Sequence, residues 1–394
     1  MKTNLSTLFK DFTGSEKNAG IVLIICAIIS LCLANSAFSE SYISFWHTHT
    51  GQNLFGFDMN LSIEHWINDG IMTIFFLMVG LEIERELYNG ELHPIKNAVL
   101  PVVGALGGML IPALIFTVLN YNTPTANGFG IPMGTDIAFA LGIIALAGNR
   151  VPVSIKVILT AIAIIDDLGS ILIIAFFYGG EIQLIYLGIA LGIFSILLLL
   201  NRLKVHAVLP YLLLGIAMWF FMMQSGIHPT IAGVLLAFAY PFGDGGPASP
   251  SINLQSKLHL PVAFLILPLF TLANTAIPLK SEFISGLNSS HAFGIALGLI
   301  IGKPVGITLA LLAVIKLKLV ALPSNTGWYD IIAMGCIAGI GFTMSVFITQ
   351  LAFSEEVVIQ SSKMMILLAS CAAGIIGFLL FYFKRTSNGN EVEL

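Results

Sequence analysis

The sequence has few charged residues for its length. Only 10% of its 394 residues are Asp, Glu, Lys or Arg, whereas a soluble protein of this length has about 25%. Hydrophobic residues make up 57% of the chain, and the mean hydropathy is +0.94. This composition excludes a soluble globular protein and predicts a polytopic membrane protein. We therefore expect lipid, and not nucleic acid, to surround it.

Cysteine is also scarce. The four cysteines lie in apolar stretches and lack the spacing of metal ligands, so we expect buried thiols and not disulfides or a bound cofactor. They are Cys26, Cys32, Cys336 and Cys371.

Apolar segments of about twenty residues, separated by polar or Gly/Pro breaks, predict an all-α fold with twelve membrane spans in one domain, residues 1–394. Lys and Arg support this topology: of the 17, fourteen fall in predicted cytoplasmic segments, two in external segments, and Lys303 within a span. The positive-inside rule then places both termini in the cytoplasm. The predicted spans are 19–38, 63–88, 98–120, 125–147, 153–178, 183–201, 206–224, 227–241, 256–278, 292–315, 329–353 and 360–384.

The segment between the first two spans has no Lys or Arg, and part of it alternates apolar with small or polar residues. This alternation predicts a short external β-hairpin at 48–62, although an ordered loop fits the pattern as well. A free hairpin edge could pair with a second copy of the protein. The tail 386–394 is polar, and we expect it to be disordered.

Two predicted spans are interrupted by glycine and proline. The fourth span contains 128–136 (GFGIPMGTD), and the eleventh contains 334–343 (MGCIAGIGFT). Such spans can unwind where the backbone is shielded by protein or lines a watery cavity. Each is the middle member of three spans, so we predict inverted-topology repeats at 98–178 and 292–384 with a site where the broken helices 4 and 11 meet.

Two adjacent acids, Asp166 and Asp167, lie in the middle of the apolar run 153–178. Each costs roughly 2.5–3.5 kcal/mol at the centre of a spanning helix, so the pair needs a compensating reason. Acids inside a membrane are functional-site candidates by default. The alternative is a structural pair that is neutralised by Arg or Lys of a neighbouring helix.

Other ionisable residues within the predicted spans are Asp136 and Lys303. Asp136 could stabilise the N-termini of half-helices at the breaks, and Lys303 could stabilise their C-termini or pair with Asp166. The acid pair suits competition between a small hard cation and protons, because carboxylate oxygens bind either one. Thr135 and exposed carbonyls could complete the shell of the ion. One such site that is exposed alternately to each side is sufficient for cation/proton exchange.

Further ionisable residues lie near the ends of the predicted spans. Glu82 and Glu86 are near a cytoplasmic end, whereas His228 can lie at either surface. Such groups could bias access as the pH changes, although charges at this depth are more often solvated interface residues.

Several motifs resemble the NhaA family of bacterial sodium/proton antiporters. The resemblance extends over essentially the whole chain, with the motifs in order. The segments that carry it are 163–169 (AIIDDLG), 135–142 (TDIAFALG), 75–82 (FFLMVGLE), 266–270 (ILPLF), 302–304 (GKP) and 339–345 (GIGFTMS).

The resemblance implies an antiporter of the inner (plasma) membrane that exports Na⁺ or Li⁺ for a larger number of protons, with no cofactor and no enzymatic activity. It implies that Asp167 is the chief cation ligand and Asp166 its partner, able to pair with Lys303. Thr135 and Asp136 would lie at the crossed broken helices. Other implied roles are an ion path at Asp69, pH response at Glu82, Glu86, His228 and His259, and a homodimer formed through the hairpin.

The chain departs from the family pattern at Gln255, where the resemblance would imply an acid. This difference bears on the pH at which transport would be activated and not on the residues of the transport core. A sodium-coupled symporter on a similar fold is a second hypothesis, but it predicts an enlarged polar cavity without the acid pair. An intramembrane aspartyl protease needs acids on separate helices and commonly a Gly-x-Gly-Asp element, which the sequence lacks, although Asp136 could in principle pair with Asp166 or Asp167. A passive channel fits poorly with Lys303 beside an acidic site.

Overall fold

The computed structural model describes residues 5–51, 59–90, 93, 95–246, 249–323 and 326–384. These residues form helices almost throughout, and most of the helices are predominantly apolar. The helices are α1 (Leu5–Ala34), α2 (Ser39–His47), α3 (Ile63–His65), α4 (Met72–Asn89), α5 (Ile95–Leu119), α6 (Ile137–Ala147), α7 (Val153–Phe177), α8 (Leu184–Arg202), α9 (Val208–Gln224), α10 (Ile231–Ala239), α11 (Pro250–Pro261), α12 (Leu267–Asn274), α13 (Ser281–Gly286), α14 (Ser290–Leu297), α15 (Lys303–Lys316), α16 (Trp328–Ala338), α17 (Phe342–Ala352) and α18 (Glu356–Phe383).

Shorter elements join some of these helices into longer ones. Three π-helical turns continue the helices on either side, at Trp66–Ile71, Val262–Ile266 and Gly298–Gly302. Two 3₁₀ segments precede and follow α6, at Ala126–Met133 and Gly148–Arg150.

Eight helical segments in the described residues are long and apolar enough to cross a membrane, and two bent helix pairs could raise the number to ten. The two pairs bend by 114° between α1 and α2 and by 47° between α16 and α17. The seventh and eighth predicted spans correspond to α9 and α10, of 17 and 9 residues, which are too short for this criterion. Twelve spans therefore stays a prediction.

The predicted external hairpin is only partly within the described residues. Strands β1 (His49–Thr50) and β2 (Leu61–Ser62) pair antiparallel, with His49 opposite Ser62. Residues 52–58 lie outside the described residues, as does the predicted tail 386–394. The hairpin and its role in a dimer stay predictions.

The ninth predicted span begins earlier than the apolar run suggests. It starts at Pro250 and not at residue 256, because proline suits the first turn of a helix, where its missing N–H has no partner to lose. The polar residues of α11 therefore extend this helix beyond its apolar part.

The two predicted repeats contact each other closely. Helix α5 crosses α15 where Gly107 faces Gly306, and a Cβ on either glycine would collide with the backbone carbonyl oxygen of the other. Small residues allow helices to approach this closely in a membrane, where packing and hydrogen bonds replace the hydrophobic drive. The inverted relation of the repeats stays a prediction.

Candidate functional site

The two interrupted spans cross at their breaks. In the fourth span, Gly134 and Asp136 have extended backbone between the 3₁₀ segment and α6. In the eleventh, the helix stops at Ala338 and resumes at Phe342. The backbone N–H of Asp136 donates to the carbonyl oxygen of Ile340 at 2.6 Å, so each break satisfies a polar group of the other.

Asp136 joins the N-termini of two half-helices. Its Oδ1 accepts from the N–H of Phe139 at 3.1 Å in α6, and its Oδ2 accepts from the N–H of Thr343 at 3.0 Å in α17. The first turns of both helices carry partial positive charge, which a carboxylate neutralises. The geometry therefore fits the expectation that Asp136 stabilises facing N-termini.

Lys303 pairs with Asp166 and not with a helix C-terminus. Its Nζ lies 2.6 Å from Asp166 Oδ2 and 2.9 Å from Thr135 Oγ1, and both charged side chains are fully buried. The Thr135 hydroxyl lies 2.7 Å from the same Asp166 oxygen and 3.0 Å from the carbonyl oxygen of Ala338, at the end of α16. Because the hydroxyl has one proton, it can donate to only one of these at a time.

Asp167 points away from this ion pair. Successive residues of an α-helix are rotated by about 100°, so its carboxylate faces a different side of α7. It lines a cavity of about 70 Å³, which we call the Asp167 cavity, whereas Asp166 does not. Its side chain is buried, and its Oδ1 has no protein hydrogen-bond partner among the described residues.

The Asp167 cavity brings several predicted residues together. Glu82, Thr135, Asp136 and His259 line it together with Asp167, and the rest of its lining is mostly apolar. The other lining residues are Ala19, Phe75, Met78, Val79, Ile137, Ala138, Val262, Ala263, Leu267, Thr343 and Met344.

Arg85 holds the two predicted glutamates beside this cavity. Its Nη2 lies 3.0 Å from Glu86 Oε1 and 3.5 Å from Glu82 Oε1, and its Nη1 donates to Gln255 Oε1 at 3.4 Å. Gln255, where the resemblance would imply an acid, thus contacts Arg85 as a neutral acceptor.

His228 lies with Asp69 and not with Glu82. Its Nε2 is 3.4 Å from Asp69 Oδ1, and the Nε2 of His65 is 3.7 Å from Asp69 Oδ2. Asp69 and His65 line a second cavity of about 260 Å³, which we call the Asp69 pocket. The sequence left open the surface at which His228 lies, and the structure separates it from the other predicted pH-response residues.

Comparison with known proteins gives one consistent result. The family model described as Na⁺/H⁺ antiporter 1 matches residues 10–381. A protein named Na(+)/H(+) antiporter NhaA from Flavobacterium psychrophilum is 54% identical over 389 residues, 98% of this chain and 99% of the relative. A protein of that name from Cytophaga hutchinsonii is 52% identical over 95% of this chain and 95% of the relative. Another from Dechloromonas aromatica is 52% identical over 98% of this chain and 99% of the relative. This chain belongs to the NhaA family.

Membership confirms the resemblance that the motifs indicated. The family members are transporters and not enzymes, and the apolar helices agree with a multi-pass membrane protein. The matches do not assign roles to individual residues, so we infer these roles from the geometry of this chain.

Ser170 is a site residue that the sequence interpretation missed. It lies on α7 about one turn beyond the two acids, is fully buried, and its Oγ has no protein partner among the described residues. A hydroxyl at this spacing from two acids in an apolar helix is the signal that could have identified it.

The donor set near the acids suits a transported ion more than a resident metal. Among the described residues, no group of three or more His, Cys, Asp or Glu is arranged to hold a metal ion. However, Asp166 Oδ1, Asp167 Oδ1 and Ser170 Oγ are all buried without hydrogen-bond partners in the described part of the chain. Buried oxygens of this kind need a partner, and a small hard cation or protons would supply it.

Proposed function

We propose that this protein is a secondary active antiporter that exports Na⁺ or Li⁺ in exchange for a larger number of protons. Cation and protons compete for the site of Asp167 and Asp166, which is exposed alternately to each side of the membrane. The observation that carries the proposal is the buried carboxylate of Asp167, which lines a cavity and has an oxygen without a hydrogen-bond partner in the described part of the chain. The names of the relatives support the ions involved.

Asp167 is the anchor of the cation in this proposal. A buried carboxylate is neutralised by a proton, a cation or a neighbouring positive charge, and Asp166 already holds Lys303. Protonation of Asp167 and binding of Na⁺ to it therefore exclude each other. Asp166 Oδ1, Ser170 and Thr135 offer further oxygens for the ion.

Lys303 supplies the second proton. When Asp166 turns towards a cation bound at Asp167, its Oδ2 leaves the ammonium of Lys303, from which it is now 2.6 Å away. An unpaired ammonium in this buried position costs several kcal/mol, and release of a proton from Nζ removes that cost. One cation is then exchanged for protons from both Asp167 and Lys303.

We propose twelve spans with both termini in the bacterial cytoplasm. The distribution of Lys and Arg supports this orientation, in which the Asp167 cavity is on the cytoplasmic side and the Asp69 pocket on the external side. The helices α9 and α10 would be the seventh and eighth spans. The protein would lie in the inner membrane as a homodimer that pairs through the segment 48–62.

We further propose that pH controls entry to the Asp167 cavity. Glu82 and His259 line this cavity, and Glu86 shares Arg85 with Glu82. Changes in the charge of these groups would rearrange the contacts of Arg85 at the cytoplasmic ends of α4 and α11. His228 would act separately, on the Asp69 ion path.

The test is Na⁺-driven proton movement in everted membrane vesicles. Asp167→Asn removes the anionic oxygen with little change of shape, so we expect exchange to fall at least about 100-fold. Asp244→Asn is the matched control, because Asp244 is exposed and caps the N–H of Gly246 in a loop away from the site. Normal exchange in Asp167→Asn, at equal amounts of protein in the membrane, would refute the proposed site.

A further inference from the structure

Three amide side chains form a closed ring beside the Asp69 pocket. Asn68 Nδ2 donates to Gln350 Oε1 at 2.6 Å, Gln350 Nε2 donates to Asn274 Oδ1 at 2.5 Å, and Asn274 Nδ2 donates to Asn68 Oδ1 at 2.9 Å. Asn68 and Asn274 are buried. Each amide therefore donates one hydrogen bond and accepts one within the ring.

A partly buried ion pair extends this ring. Gln350 Nε2 also donates to Glu64 Oε1 at 2.7 Å, and Lys363 Nζ lies 3.2 Å from the same oxygen. His47 Nε2 faces the other carboxylate oxygen of Glu64 at 3.7 Å. We call the set of Asn68, Asn274, Gln350, Glu64 and Lys363 the amide seam.

The amide seam joins two groups of helices. Gln350 and Lys363 belong to α17 and α18, which lie in the second predicted repeat, whereas Glu64, Asn68 and Asn274 belong to helical segments outside both repeats. The members come from distant parts of the chain, so the seam is made only by tertiary packing.

A layer of aromatic rings lies next to the seam. Phe347, one turn before Gln350 on α17, contacts Phe76 with ring centroids 5.4 Å apart and Phe270 at 6.4 Å. The ring of His228 is 5.2 Å from that of Phe347. This layer and the seam close the space between the two groups of helices on the side of the Asp69 pocket.

The same two groups of helices also meet at the Asp167 cavity. It is lined by Met78, Val79 and Ala263 from helices outside the repeats, and by Asp167 and Met344 from the repeats. The two groups therefore enclose a cavity at Asp167 and are joined by hydrogen bonds at the amide seam.

We propose that the amide seam is a latch that holds the external side closed, and that Gln350 is the positioning residue that sets the balance between the two access states. The inference rests on the proposed function, because it requires a site that is exposed alternately. Opening towards the Asp69 pocket must separate α17 and α18 from the segment 63–89 and α12, which breaks both contacts of Gln350 in the ring and leaves only the bond between Asn274 and Asn68. If one member of the amide seam is replaced, the remaining amides lack hydrogen-bond partners in the closed state. In the open state water solvates them, so the replacement destabilises only the closed state. Loss of a member therefore favours the external-open state.

The test measures external access to the cavity side of the aromatic layer. Val79 lines the Asp167 cavity and lies three residues after Phe76 on α4, so Val79→Cys reports when the layer opens. The reporter is placed in the full chain with its four native cysteines replaced, and a membrane-impermeant methanethiosulfonate is added outside intact cells. With Gln350→Leu we expect the initial labelling rate to rise roughly three- to tenfold, because the rate follows the small external-open population.

Two further variants remove other parts of the seam. Asn274→Leu should raise the rate to a similar extent, whereas Glu64→Gln should raise it less, because its amide oxygen still accepts from Gln350 and only the pairing with Lys363 is weakened. Ser354→Ala is the control and should leave the labelling rate unchanged. Ser354 is exposed and lines the Asp69 pocket, but it is not a member of the amide seam.

Unchanged external labelling in Gln350→Leu and Asn274→Leu, with equal total labelling after unfolding in detergent, would overturn the latch. If Gln350→Leu does not reach the membrane, Asn274→Leu and Glu64→Gln decide the question in the same assay. Failure of the proposed function is distinguishable, because it appears as an absence of Na⁺-dependent proton movement in wild-type vesicles, whatever the labelling rates are.

Discussion

Asp166 and Asp167 are adjacent and identical side chains, but their surroundings differ in almost every respect. Asp166 is fully buried, 2.6 Å from the ammonium of Lys303 and 2.7 Å from the hydroxyl of Thr135. Asp167 has no ion-pair partner among the described residues and faces a cavity. A rotation of about 100° along α7 is enough to separate a charge held by the protein from a charge left open to a transported ion.

The difference shows why both acids are useful in one site. A single open carboxylate could exchange one cation for one proton, which moves no net charge. A second carboxylate, paired with a lysine that can lose a proton, allows more protons than cations to move. In the proposed mechanism the ion pair is thus a part of the transport chemistry and at the same time a structural contact.

The largest effect expected from this comparison concerns stability. Asp166→Asn leaves Lys303 buried without its counter-ion, which should lower the free energy of unfolding by roughly 3–5 kcal/mol. Asp167→Asn removes a buried acid that has no ion-pair partner among the described residues, so it should lower the free energy of unfolding by less than Asp166→Asn does. Thermal unfolding of the purified variants in one detergent measures the difference.

The double variant Asp166→Asn/Lys303→Met is the control for this prediction. It removes both charges, so it should recover much of the stability that Asp166→Asn alone loses. Equal melting temperatures for Asp166→Asn and Asp167→Asn would mean that the Lys303 contact does not distinguish the two acids.

A smaller effect is expected at Thr135, which touches the ion pair. Thr135→Val keeps the shape but removes the hydroxyl beside Asp166 Oδ2 and the carbonyl oxygen of Ala338. The apparent KM for Na⁺ should rise roughly 10- to 150-fold, in line with the loss of one hydrogen bond of about 1.5–3 kcal/mol to a charged group. Thr135→Ser should restore it. A wild-type KM in Thr135→Val would remove Thr135 from the site.

The sequence singled out the candidate site residues because charges in an apolar helix are costly and therefore conspicuous. Asp136, Asp166, Asp167 and Lys303 all follow from that cost, and glycine with proline marked the two breaks. The partner of each charge could not be predicted, because it depends on how α7 is rotated against α15. Lys303 therefore had two possible partners until the tertiary structure selected Asp166.

Uncharged polar residues were harder to find from the sequence. Asn68, Asn274 and Gln350 lie near helix ends, where an amide is unremarkable, and only the fold joins them into a ring. The position of His228 was also hard to predict. It lies just before α10, and the sequence does not show at which membrane surface so short a helix begins. The same short helix makes the spans hard to count from the sequence, because the nine residues of α10 give a weak hydropathy signal.

The most direct test of competition at Asp167 is the Kd of Na⁺ for the purified protein as a function of pH. If cation and protons share one site, the Kd should fall with rising pH by up to about tenfold per pH unit for each proton displaced, until the site is deprotonated. Asp167→Asn should show no Na⁺ binding at any pH, and Asp244→Asn should follow the wild type. A wild-type Kd that stays constant from acidic to alkaline pH would contradict the account.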